Sequence, residues 1–409
     1  MSIFWNLVQF EYKKALVKKG AILVMILGIL LAGISVFGTI IGNEYNQDGE
    51  VQRSNYEAMM LDREYQLQLS GRALDEDLFL EAADAYAKIP LLHTSGRYTD
   101  TAEYEKYARK YSSIYSICRM VYNASSVRFD VEDFQSLSED TAKSFYDIRR
   151  ERMEQRIMHT GMSEKAKADT IELDRQLQTP FTFEYADGYQ RFLTIMYTTA
   201  MLGTGVITIL FASIFSGEYD SGADELILSS RHGKRILIYA KIFVVFSFTA
   251  VYIAFLTLLT YTECMLIYGA EGKNAAIQIF GMSFPYAMTV GQSVVIYCLS
   301  LLAACFLSLA VTVLLSSVFK TPFWVIVVCS LLLIAPMFLN ISEENALLFH
   351  INCLIPSNMM AYECTVNLVQ YEVFGQIVRP FVFQPLFALI LTIVIVPFAY
   401  RRFQRHQVV

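Results

Sequence analysis

The chain has 409 residues, 55% of them hydrophobic, and a formal net charge of −6. Soluble domains average about 45–50% apolar, and the excess here is not spread evenly. It sits in runs at 20–43, 192–215, 236–268, 286–318, 322–341 and 381–400, each near the roughly 20 residues needed to cross a bilayer as a helix. A soluble α/β core is excluded, since its apolar runs would be about 4–8 residues long. Nucleic-acid binding is excluded as well, because no basic patch carries interleaved aromatics.

In chain order, residues 1–19 predict a helix lying in the membrane interface. Phe4, Leu7, Val8, Tyr12, Ala15 and Leu16 share one face, with Ser2, Asn6, Gln9 and Lys13 on the other. The run 20–43 begins too late and is too long for a cleaved signal peptide, and no A-x-A-like site follows it, so a retained first span is expected. Residues 44–190 carry 28 acidic against 18 basic residues and predict a solvated helical domain. Within it, Asp100-Thr101-Ala102-Glu103 has a capping-box pattern ahead of a stripe of Tyr104, Tyr107, Tyr111, Ile114, Tyr115 and Cys118. That stripe reads as core rather than as a ligand platform. Further helices are predicted over Leu74 to Ile89, ended by Pro90, over Ser138 to His159 and over Ser163 to Gln178. Asn123-Ala124-Ser125 matches a glycosylation sequon, a short and weak motif.

Orientation follows from Lys and Arg beside the spans. Lys13, Lys14, Lys18 and Lys19 precede the first, Arg231, Lys234, Arg235 and Lys320 fall in two internal loops, and Arg401, Arg402 and Arg405 follow the last. The short loops on the other side carry only Lys273 and Arg379. Six spans thus predict cytoplasmic termini, with 44–190 outside. The seven cysteines show no C-x-x-C spacing, so no metal site is expected. Cys353 and Cys364 share one outer loop and are the candidate disulfide pair. Glu263 lies near the outer end of the third span and is the candidate intramembrane polar site. Lys241 opens that span, where snorkelling to the inner surface accounts for it. Pro285 and Pro336 mark span ends or kinks.

The most informative stretch is the internal loop running from Ser216 to Arg235. Acids lead and bases follow, as suits a helix dipole, and Leu226 and Leu228 offer apolar contacts. It resembles the permease subunits of the ABC type-2 exporter family, whose second cytoplasmic segment runs approximately E-x-x-x-G-T-L-E-x-L-L-S-x-P-x-S-R, with a Lys some residues later. Glu218, Gly222, Glu225, Leu226, Leu228, Ser229, Arg235 and Lys241 carry the likeness. Ala223 stands where Thr is usual, and Arg231 replaces the Pro. The layout of interfacial helix, six spans and large first outer insertion is similar too, as is the run Ser308 to Phe323 closing the fourth span.

The resemblance implies an exporter half in an all-α polytopic fold. It has an interfacial helix (1–19), spans at 20–43, 191–215, 236–268, 285–319, 322–341 and 381–400, and an extracellular helical domain (44–190). A coupling helix (216–235), an outer loop (342–380) and a cytoplasmic tail (401–409) complete it. Glu218, Gly222, Glu225, Leu226, Leu228 and Arg235 would form the contact with a separate ATPase. Glu218 would fix the segment by pairing, Gly222 would permit close approach of another backbone, and both leucines would fill a groove on the partner. No G-x-x-x-x-G-K-[ST] run occurs, so ATP and magnesium belong to the partner and this chain carries no catalytic, cofactor or metal site. A second permease copy or homologue is expected, in the lipid of the cell membrane. The nearly charge-free spans favour a hydrophobic or amphipathic cargo, such as an antimicrobial peptide, a drug or a lipid. A sodium-extruding permease of the same family would share the layout, and a membrane sensor whose outer domain binds a ligand fits the same topology. Paired carboxylates, H-E-x-x-H and G-x-S-x-G are absent from the spans, which argues against an intramembrane enzyme.

Overall fold

The computed structural model describes residues 3–17, 19–46, 49–90, 98–123, 128–230 and 233–405, apart from the side chain of Lys234. Lys18, Arg231 and most of the sequon lie outside them. The chain is mostly helical, and among the described residues five helices are long and apolar enough to cross a membrane by length and composition. The first helix, α1 (Ile3–Leu16), turns Phe4, Leu7, Val8, Tyr12 and Ala15 toward the rest of the chain, the face its periodicity predicts. The long helix α2 (Lys19–Phe37) follows. It leaves Leu23, Ile26, Leu27, Leu30 and Ile34 exposed, as lipid-facing residues would be.

A short hairpin, β1 (Asn43–Tyr45) with β2 (Val51–Ser54), opens the polar domain. Ser54 then caps α3 (Asn55–Leu69) through a capping box with Glu57. Next come α4 (Glu76–Tyr86), α5 (Ser112–Tyr122), α6 (Val131–Gln135), α7 (Glu139–Lys143), α8 (Phe145–His159) and α9 (Glu164–Arg175). Tyr104, Ile114, Tyr115 and Cys118 are buried with Phe79, Tyr86, Phe134 and Phe145, so most of the stripe is core, while Tyr107 and Tyr111 stay partly exposed. Two local expectations shift. Thr101, not Asp100, caps its turn, accepting from Tyr104 N at 3.1 Å. The helix expected over Ser138 to His159 breaks at Ser144, whose hydroxyl donates to Thr141 O at 2.9 Å and so competes with the helical ladder.

The long helices resume with α10 (Asp187–Phe211), α11 (Ser213–Ser221), α12 (Ala223–Ser229), α13 (Ile238–Tyr268) and α14 (Val290–Val318). The chain then forms α15 (Pro322–Ile334), a 3-10 turn Ala335–Phe338, and α16 (Ala346–Cys353), α17 (Pro356–Met359) and α18 (Tyr362–Thr365). A hairpin of β3 (Tyr371–Val373) and β4 (Gln376–Val378) leads into α19 (Pro380–Gln404). Helix α14 packs along α19, and α10 along α13 and α2. The apolar helix at 322–338 is shorter than the expected 322–341, because Pro336 lacks an N–H and converts its end to a 3-10 turn.

The polar domain joins one end of the helix bundle. Arg63 pairs with Glu271 at 2.5 Å, Arg156 with Glu343 at 2.8 Å, and Arg379 with Asp169. Gly161 N donates to Glu343 O at 2.9 Å. Segments entering α14, α16 and α19 are therefore pinned to the domain. Cys353 and Cys364 face each other as free thiols, with Sγ atoms 3.8 Å apart. The opposite end of the bundle gathers α1, α11, α12 and the last turns of α14 and α19.

Candidate functional site

At that opposite end the chain breaks its longest helix twice. The first break, at Ala212, separates α10 from α11. Ser316 on α14 fills it: its Oγ donates to Ala212 O at 2.6 Å and accepts from the N–H groups of Phe215 and Ser216 at 3.0 and 3.1 Å. Backbone groups freed by the kink thus find partners on a neighbouring helix. Helix α11 then carries Glu218 into the interior and ends at Gly222.

Glu218 belongs to a buried ion cluster. The Nζ of Lys241, on the first turns of α13, lies 2.7 Å from Glu218 Oε1 and 3.0 Å from Oε2 of Glu11 on α1. Lys14, one turn beyond Glu11, reaches Glu218 Oε1 at 2.5 Å. Lys241 is 1% exposed and Glu11 4%, whereas the Lys14 side chain is 41% exposed. Two carboxylates and two ammoniums balance in charge, as burial of ions requires. Beside them lies a cavity of about 180 Å³, lined also by Ala15, Gly20, Ile209 and Ile214. Lys241 therefore does not snorkel: it ties α1 to the end of α11.

Sequence reasoning missed Glu11 and undervalued Lys241. A signal was present, since Glu11 falls within the apolar stripe of α1, between Val8 and Ala15, where an acid needs a partner. Tyr12 on the same face hydrogen-bonds Ser247 at 2.7 Å.

Beyond the cluster, the predicted coupling helix is not one helix. Gly222 adopts φ +67°, which ends α11 and starts α12 in a new direction. Among the described residues of this chain an added Cβ there would meet nothing within 4 Å. A close approach occurs instead at Gly233, where a Cβ would come within 1.7 Å of Ile227 O. On α12 the two leucines part company. Leu226 is 76% exposed, while Leu228 is 7% exposed and joins the main core with Ile238 and Phe403. Glu225 and Arg235 are exposed, and Asp224 is buried. The underside is sealed by the end of α19: Phe403 stacks on Phe215 and Tyr219 at 4.5 and 5.5 Å.

Glu263 lies apart from this site. It faces Gly33 on α2, close enough that a Cβ there would stand 3.3 Å from its Oε1, and its buried Oε2 has no hydrogen-bond partner among the described residues. Among the described residues no group of His, Cys, Asp or Glu is placed to hold a metal ion. No family model, no curated protein and no solved structure matches the chain.

Proposed function

We propose that this chain is the membrane-spanning subunit of an ATP-driven exporter of the ABC type-2 class. It would work with a separate ATPase and a second permease, and move a hydrophobic or amphipathic cargo. The observation that carries the reading is the construction at the end of the bundle opposite the polar domain: a short helix with one exposed leucine, lying between the left-handed Gly222 and the closely packed Gly233 and joined through α11 to a buried ion cluster. A connecting loop needs only solvated residues. A helix joined through α11 to an ion cluster shared with α1 and α13 is what force transmission from a soluble partner requires.

In this reading α2, α10 with α11, α13, α14, the apolar stretch 322–338 and α19 are six crossings. The fifth crossing is the short one. Thirteen α residues and a four-residue 3-10 turn span about 27 Å, close to the ~30 Å hydrocarbon thickness. Its two ends support the assignment, since Thr321 follows α14 at the cluster end and Glu343 pairs with the polar domain. The Lys and Arg bias then puts the cluster in the cytoplasm and 44–190 outside the cell.

The test is biochemical. The chain purified from its native membrane should bring down an ATPase polypeptide, and the isolated chain in nanodiscs should hydrolyse no ATP. Hydrolysis by the chain alone, with contaminating ATPase removed, overturns the proposal.

A further inference from the structure

The polar domain meets the bundle across a cleft of about 870 Å³, within the range of small-molecule sites and at a domain junction where such sites concentrate. Helices α5 and α8 form one wall. The other comes from residues 281–283, which lead into α14, and from Glu344, which precedes α16. The lining combines two chemistries. Met120, Met153 and Met282 give an apolar, adaptable surface. Arg119, Arg149, Arg152 and Arg156 bring guanidinium groups.

The four arginines are not equivalent. Arg149 is buried and gives both Nη atoms to Asp174, at 2.7 and 2.9 Å, leaving its buried Nε without an acceptor. Arg156 pairs with Glu343. Arg152 spends its hydrogen bonds on the carbonyls of Tyr122 and Asn123, at 2.9 and 2.7 Å, which neutralise no charge. Arg119 is exposed and, among the described residues, has no carboxylate in ion-pair range. Glu344 is the one carboxylate on the described lining and stands on the opposite wall. Two uncompensated guanidiniums on adjacent helices match a dianion, and arginine forks suit phosphate oxygens. A phosphate monoester carries about −1.5 to −2 at pH 7. The methionines suit an apolar substituent on it.

We infer that this cleft binds an amphipathic phosphate, a phosphate monoester head with an apolar tail, between the polar domain and the segments entering α14 and α16. The occupant would bridge the domain to two elements of the bundle, so its binding would stiffen that junction. This does not depend on the exporter reading.

The test uses the full chain in nanodiscs, titrated calorimetrically with octyl phosphate, inorganic phosphate and octyltrimethylammonium, with empty nanodiscs as the blank. Octyl phosphate should bind at least tenfold more tightly than inorganic phosphate. Arg119→Glu should weaken it at least tenfold, and Arg119→Ala by less, with unchanged melting of the protein. Equal binding of inorganic phosphate reduces the cleft to a simple anion site and overturns the inference. Equal binding of octyltrimethylammonium means that the tail alone partitions, and overturns it too. So does octyl phosphate binding that survives Arg119→Glu.

Discussion

Glu218 and Lys241, 23 residues apart in sequence, meet at 2.7 Å in the interior and close the intervening segment into a loop. Gly222, α12 and Gly233 all lie within it. Whatever moves α12 therefore pulls on the start of α13 and, through Glu11, on α1. Removing Lys241 strands the buried Glu11 and leaves Glu218 with Lys14 alone, and breaking a buried pair from one side costs about 3–5 kcal/mol. Lys241→Met should sharply lower the melting temperature in nanodiscs. Adding Glu11→Gln and Glu218→Gln should recover much of the loss, because no unpaired charge then stays buried. Lys14→Ala, at a partly exposed position and with Lys241 still paired to Glu218, should cost no more than about 1 kcal/mol. If the three substitutions at Lys241, Glu11 and Glu218 proved additive, the cluster would not be a unit.

The two glycines make a graded pair. Gly222→Ala forces a left-handed backbone on a residue with a Cβ, which costs about 1–2 kcal/mol, and Gly222→Asn should cost less. Gly233→Ala puts a carbon against Ile227 O, and the backbone there must move. Limited proteolysis of the 222–235 segment should be faster in Gly233→Ala than in Gly222→Ala. The reverse order would mean that this turn is not packed as described.

Much of this was legible in the sequence. The apolar face of α1, the aromatic core of the polar domain and the long helices follow from periodicity and composition, which depend on local residues alone. The ion cluster was not legible, because it needs three elements to meet, and Lys241 beside an apolar run looks the same whether it snorkels or pairs. The difference between Leu226 and Leu228 was hidden for a similar reason. Gly222 redirects α12, so the faces cannot be projected from α11. The two hairpins escaped notice because three- and four-residue strands carry no readable alternation.

The side of the membrane on which each end lies is open to labelling. Asp84 is exposed on α4 and Ser229 on α12. With Cys introduced singly at each, an impermeant maleimide should label Asp84→Cys from outside intact cells and Ser229→Cys only after permeabilisation. Native thiols interfere little, since Cys118, Cys264, Cys305, Cys329 and Cys353 are buried. The opposite labelling pattern would invert the topology.

In the polar domain, Arg109 is buried among Asp62, Glu44 and Glu105, and donates to Asp62 at 2.7 Å. Desolvation raises the Asp62 carboxyl above its ordinary value, outweighing the Arg109 hydrogen bond and charge and reinforced by the neighbouring Glu44 and Glu105. A raised carboxyl binds its proton more tightly in the folded state. Its contribution is therefore fully present below the ordinary aspartate range and is lost as pH rises through the folded value. Relative to Asp62→Asn, the wild-type protein should gain melting temperature as pH falls from neutrality toward about 4. Parallel curves for the two proteins would remove Asp62 from the balance.

The decisive contrast for the proposed coupling is between two leucines two residues apart. Leu226 stands almost free on α12, so Leu226→Asp exposes a carboxylate to water and should leave insertion, melting temperature and the ion cluster unchanged. In a docked complex the same carboxylate would be buried without a counter-ion. That costs several kcal/mol, and every 1.4 kcal/mol is tenfold in affinity, so partner capture should fall by at least a hundredfold. Leu228 is 7% exposed and belongs to the same buried core as Ile238 and Phe403. Leu228→Asp should therefore lower the melting temperature before any partner is added, by the same burial argument applied within the fold. Capture of the ATPase and thermal melting, measured on both variants, separate an interface residue from a core residue. If Leu226→Asp keeps full capture and coupled hydrolysis, α12 is a connector and the partner docks elsewhere.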